Sequence, residues 1–142
     1  MAAVKGVNIT NLDATPVVLP KASNVHGRIR AWYDTYEASA LAAASTITLA
    51  RLPAGAKVLN VTVWHDDLGT SAGTLEVGDA ADPNRFLTAF ATGAAGAQDM
   101  KGANGDINGV GFDYTTKTDI VVTTAGAAIT GTVKMLVEYT VD

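Results

Sequence analysis

Four carboxylates in two loop-like stretches, Asp66 and Asp67 and then Asp79 and Asp82, are the first residues whose type and spacing bear on chemistry. If their loops converged they could offer oxygens to calcium, which takes about six to eight. The spacing does not match an EF-hand, and Asp is common in turns because it bonds its own backbone. Asp66 beside Asp67, or Asp34 near Glu37, could alternatively act as a glycosidase acid and base, which need carboxyls roughly 5–9.5 Å apart across a sugar-binding cleft. The aromatic residues Trp32, Tyr33, Tyr36, Trp64, Phe86, Phe90, Phe112, Tyr114 and Tyr139 are few for a stacking groove plus a core, so core packing is expected for most of them. His26 and His65 are the only histidines, which excludes a three-histidine zinc site. Ser23, Ser39, Ser45 and Ser71 stand in no G-x-S-x-G elbow. The run Gly102-Ala103-Asn104-Gly105-Asp106-Ile107-Asn108-Gly109-Val110-Gly111 is followed by no helical period and closed by no Lys-Ser/Thr pair, so it reads as a flexible surface loop rather than a phosphate cradle. No catalytic, cofactor-binding or metal-ligating residue is expected, and no cofactor.

The elements that would hold these residues are mostly strands. Val25 to Asp34 alternates with one polar face, as do Thr46 to Leu52, Lys57 to His65 and Thr74 to Gly78. Pro53-Ala54-Gly55-Ala56 makes a turn between two of them. Tyr36 to Ala44 has the highest helix propensity in the chain but only one bulky apolar residue, Leu41, which predicts one or two helical turns leading into a strand. Arg85 to Phe90, Phe112 to Tyr114, Ile120 to Thr124 and Thr130 to Val141 supply further strands, with a long loop expected from Thr92 to Gly111. In the last strand Val133, Met135, Val137 and Tyr139 share the apolar face. About eight short strands with Gly or Pro turns predict an all-β, antiparallel β-sandwich of jelly-roll type.

Composition agrees. Ala, Val, Thr and Gly make up about half of the 142 residues, a bias toward strands over helices. Cysteine is absent, which removes disulfides and thiolate chemistry. The net charge of −4, with basic residues scattered, disfavours a phosphate-neutralising surface and hence nucleic acid as a partner. No apolar run reaches the roughly 20 residues of a membrane helix, and the first residues lack the pattern of a secretory signal peptide. No membrane association is expected.

Several segments carry a family likeness: Arg30-Ala31-Trp32-Tyr33-Asp34, Ile47-Thr48-Leu49, Leu52-Pro53-Ala54-Gly55-Ala56-Lys57-Val58, and Leu75-Glu76-Val77-Gly78-Asp79-Ala80-Ala81-Asp82-Pro83-Asn84-Arg85-Phe86. Together they resemble small virion structural proteins of tailed bacteriophages. The likeness spans roughly residues 27 to 90 and includes no catalytic motif. It implies a non-enzymatic particle component, foremost a head decoration or cement protein that binds the outer shell and clamps capsid subunits. Its place would be the virion, assembled in the host cytoplasm. Its partners would be the major capsid protein, copies of itself in a homo-oligomer, or both. Head fibre, neck or tail parts share this composition, and a carbohydrate-binding or carbohydrate-cleaving module using the aromatic and acidic loops is the alternative from another class.

The contact residues are expected in an N-terminal arm, residues 1–24, set apart from a single β-sandwich domain, residues 25–142. Val7, Ile9, Leu12, Val17, Val18 and Leu19 are apolar without a period that a compact core could absorb, while Pro16 and Pro20 favour an extended course. Such a segment can lie along a partner's sheet edge.

Overall fold

The computed structural model describes residues 2–69 and 72–142; Ser71 of the serine set above lies outside the described residues. Eight strands run in chain order: β1 (Arg30–Leu41), β2 (Thr46–Leu52), β3 (Ala56–His65), β4 (Thr74–Gly78), β5 (Leu87–Ala91), β6 (Gly96–Asp99), β7 (Thr118–Ala125) and β8 (Ile129–Val141). One sheet has the order β1-β8-β3-β6 and the other β2-β7-β4-β5. The antiparallel pairs β1 with β8, β2 with β7, β3 with β6 and β4 with β5 describe one long double ribbon, and rolling it adds β3 to β8 and β4 to β7. That is the winding of a jelly roll, as expected from the sequence.

The two sheets face each other over a single apolar core. Val133, Met135, Val137 and Tyr139 point inward as their alternation requires, opposite Ile120 and Val122 of β7 and Leu75 and Val77 of β4. Each fully buried Val or Leu contributes roughly 1.5–3 kcal/mol relative to exposure. The turn between β2 and β3 works as its residues dictate: Gly55 takes φ +84°, and the Ala56 N–H donates to the Pro53 carbonyl at 3.2 Å.

Four local expectations are corrected. Tyr36 to Leu41 continues β1 instead of forming helical turns, because ladder bonds to β8 outweigh alanine's helix propensity where a helix would bury only Leu41. The strand expected from Val25 starts at Arg30, after His26 takes a positive φ of 62°. Phe112 to Tyr114 is no named strand; it lies against β3 through an isolated Lys57–Asp113 bridge, with the Tyr114 N–H donating to Ala56 O at 2.8 Å and the Val58 N–H to Phe112 O at 3.0 Å. The stretch from Thr92 to Gly111, expected as one long loop, contains β6 and a short 3₁₀ helix, Ile107–Gly109, and it is fastened by its own chain. The Thr88 N–H donates to Asn104 O at 2.8 Å, Asp106 N–H to Phe86 O at 3.1 Å and Gly111 N–H to Val58 O at 2.7 Å.

Before β1, the chain also departs from a wholly extended course. Val7–Leu12 forms a short helix, α1, since Pro16 and Pro20 both follow it and so bound it rather than forbid it. At the inner end of this region Ser23 is buried, receiving the Thr140 hydroxyl on its carbonyl at 3.0 Å and donating its N–H to Asp142 Oδ1 at 3.2 Å.

Candidate interaction surfaces

The carboxylates singled out for chemistry are dispersed, and each has a structural partner. Asp66 Oδ2 accepts the Thr132 N–H at 3.0 Å, which holds its carboxyl below the usual carboxylate range, and Asp67 accepts from Gly69 N–H at 3.0 Å. Asp34 and Glu37 are three apart on one strand and so fall on opposite faces of β1; the first accepts from Thr35 N–H at 2.8 Å and the second from the Thr132 hydroxyl. They cannot flank one bond as acid and base. His65 is buried, stacked on Phe90 at 5.7 Å, with Nδ1 2.8 Å from the Asp66 carbonyl, while His26 is exposed and far along the chain. Among the described residues, no three His, Cys, Asp or Glu side chains gather as metal ligands would.

Asp79 is the most tightly engaged of them. It follows Gly78, where a Cβ would come within 2.0 Å of the Asp82 carbonyl, so only glycine permits the chain to double back here. The Asp79 carboxylate accepts Arg85 Nε at 2.6 Å, the Tyr114 hydroxyl at 2.6 Å, and the N–H groups of Ala81 and Asp82 at 2.9 Å each. Burial opposes its charge, but these donors prevail and hold it below the usual carboxylate range; burial and the same bond push the Tyr114 hydroxyl up. The Arg85 guanidinium also lies 3.9 Å from the Phe112 ring centre. A cleft of about 300 Å³ opens beside this corner, where Asp79 is paired with Arg85 and Asp113 with Lys57. A shallow depression of about 530 Å³ adjoins it, sharing Ala80 and Thr118, with Arg51 and Asp119 paired bidentately across it at 2.6 and 2.9 Å.

What the fold leaves without an internal partner is apolar surface and backbone. Val7, Ile9, Leu12, Val17, Val18 and Leu19 are all exposed, from 38% for Leu12 to 81% for Leu19. Hydrogen bonds from residues 2–20 stay within that segment among the described residues, as in Lys5 to Asp13 and Val18 N–H to Asn11 O. The structure therefore brings the arm candidates together as a segment lying outside the core.

A second open surface was not singled out in the sequence. Trp32, Tyr33 and Tyr36 of β1 and Trp64 of β3 are each 38–57% exposed, whereas Phe86, Phe90, Tyr114 and Tyr139 fill the core as expected. Trp32 and Tyr36 lie opposite the inward-facing Val137 and Val133, so they belong to the inner face; β1 projects past the cover of the second sheet. Trp32 and Asp34 line a cleft of about 170 Å³ against Thr48 to Arg51 of β2. The alternation around Arg30 to Asp34 was legible, but only the topology puts that strand at an edge.

Similarity to known proteins follows the same lines. No protein-family model and no curated protein matches the sequence. A chain in the capsid asymmetric unit of cyanophage Pam1 is 29% identical, with 82% of this chain and 86% of that one covered at a TM-score of 0.64. The likeness is to a bacteriophage virion structural protein. A chain in the capsid of Ralstonia phage GP4 (23% identical, 82% and 86% covered, TM-score 0.65) and one in the acid-stable capsid of Helicobacter pylori bacteriophage KHP30 (14%, 80% and 87%, TM-score 0.55) share the fold. The phage resemblance drawn from residues 27 to 90 thus extends over most of the jelly roll.

Proposed function

We propose that this chain is a non-enzymatic decoration or cement protein of a phage head, which binds the outer shell and stabilises contacts between capsid subunits. The observation that carries the reading is an apolar arm left exposed by a body whose own core is complete. Support comes also from the 29% identity to a chain of a phage capsid and from acidic groups that are satisfied structurally instead of converging on a substrate. In this reading residues 1–24 act as the arm and 25–142 as the body, in the virion. Val7, Ile9, Leu12, Val17, Val18 and Leu19 enter apolar pockets of the major capsid protein or of neighbouring copies, each adding up to roughly 1.5–3 kcal/mol before ordering costs. The test is co-sedimentation with shells lacking the protein. The full chain should pellet with shells, and a chain lacking residues 1–20 should stay in the supernatant. Full binding by the truncated chain would move the contact to the body, and no binding by either would refute the role.

A further inference from the structure

β1 ends its sheet, with β8 on one side and no strand on the other. The Asp66 N–H donates to Thr132 O at 3.1 Å, so even-numbered residues at this end of β8 turn their backbone groups toward β3 and odd-numbered ones toward β1. Val133, Met135 and Val137 accordingly exchange bonds with Tyr36, Asp34 and Trp32. The backbone groups of Ala31, Tyr33 and Thr35 are therefore aimed away from the sheet, at solvent. Among the described residues only the Asp34 side chain answers one of them, taking the Thr35 N–H at 2.8 Å. The ladder with β8 runs unbroken from Arg30 to Ala38 before the bulge, without a proline, whereas exposed edges are usually blunted.

The side chains along this edge have a two-fold pattern. Arg30, Trp32 and Asp34 alternate on one face, with opposite charges equally spaced about the tryptophan. We propose that β1 pairs antiparallel with β1 of a second copy, about a two-fold axis through Trp32. In this register Arg30 faces Asp34 of the second copy twice, and the two Trp32 side chains meet at a non-hydrogen-bonded position, where cross-strand neighbours come closest. Ala31 and Tyr33 of the second copy then form the hydrogen-bonded pairs that the outward backbone groups demand. A shift of the axis to Asp34 sets that carboxylate against its own copy, and a shift to Tyr33 leaves Asp34 opposite Trp32. Of these three registers the Trp32-centred one has the best charge complementarity, and it joins two four-stranded sheets into one of eight.

This pairing does not depend on the arm or on any shell, so it is tested on the isolated full chain by sedimentation equilibrium at protomer concentrations on the order of 100 μM. The wild-type chain should be dimeric. Arg30→Asp and Asp34→Arg should each weaken dimerisation on the order of tenfold or more, since each sets like charges opposite one another twice. Mixing the two singly substituted chains should restore a dimer, because one chain then carries aspartate at both positions and the other arginine at both, so that every cross-strand pair joins opposite charges. A substitution that merely harmed folding could not be rescued this way. A monomeric wild type would overturn the proposal and make these charges guards of a lone edge. A dimer indifferent to both substitutions, or two weakened variants that fail to complement, would also overturn it. Loss of shell binding with dimerisation intact would bear on the cement role alone.

Discussion

The corner around Asp79 and the edge along β1 are opposite solutions to the same problem of placing polar groups. At the corner a nearly buried carboxylate has four donors supplied by its own chain, and its counter-ion Arg85 is itself stacked over Phe112. At the edge a row of backbone groups and half-exposed aromatic rings has almost nothing from its own chain. The arm resembles the edge, with apolar side chains in place of the open backbone. A satisfied site fixes one conformation and has little left to offer a partner. An open one contributes little to the monomer and keeps its binding capacity for another surface.

The sharpest way to break the contrast is to remove the corner's charge. Asp79→Ala should destabilise the body by about 3–5 kcal/mol, because Arg85 is left largely buried with only Asp82, 3.9 Å away, as a counter-ion and Tyr114 loses its acceptor. Phe86→Ala, at a side chain with no exposed surface and against Tyr114, should cost a similar 3–5 kcal/mol or so through the cavity it leaves. Urea unfolding monitored by tryptophan fluorescence measures both. Values below about 1 kcal/mol would mean that the corner is no more constrained than the edge.

Titration also separates the corner from the edge. The Asp79 carboxyl is depressed below its usual 3.8 in the fold, so its contribution is present above the unfolded value and lost as pH falls through the folded one. The Tyr114 hydroxyl is raised above its usual 10.0, so its contribution is complete below pH 10.0 and is lost as pH rises beyond it. Stability should therefore show a plateau between these limits. Tyr114→Phe should abolish the alkaline decline while an acid decline remains, followed by melting temperature against pH. An unchanged alkaline limb would place its origin elsewhere.

The same two regions explain what could be read from the sequence. Alternation in Lys57 to His65 and Thr130 to Val141 marks strands whose inner faces are buried, because period two is imposed by the pleat alone. The Leu52 to Val58 turn is equally legible, since Pro53 and Gly55 fix its dihedrals locally. Asp79 and Asp82 would offer oxygens to calcium only if their loop met that of Asp66 and Asp67, and a partner that the sequence does not point to, Tyr114, 35 residues away, holds Asp79 instead. Tyr36 to Ala44 misled in the same manner: helix propensity is local, and the ladder to β8 that overrides it joins residues about 90 apart. Exposure of Trp32 and Tyr36 is likewise a matter of strand order, which no window of sequence contains.

The smallest expected effect lies in the arm. Residues 2–20 share no hydrogen bond with the body among the described residues, and their apolar side chains stay exposed, so the arm contributes little apolar burial to the folded monomer. Leu19→Ala, at 81% exposure, should change stability by no more than about 0.5 kcal/mol. Removing residues 1–20 should leave the melting temperature of the body nearly unchanged, because the first anchoring bonds, Ser23 N–H to Asp142 and the Thr140 hydroxyl to the Ser23 carbonyl, remain in place. Differential scanning calorimetry of the two chains measures this, and limited proteolysis gives a second reading. A protease should trim the arm before the body, since the arm opens at almost no cost in free energy. A fall in melting temperature comparable to that of Asp79→Ala would mean that the arm packs on the sandwich in solution. The arm would then belong with the corner as part of the folding core, and the surface available to a shell would have to come from the body.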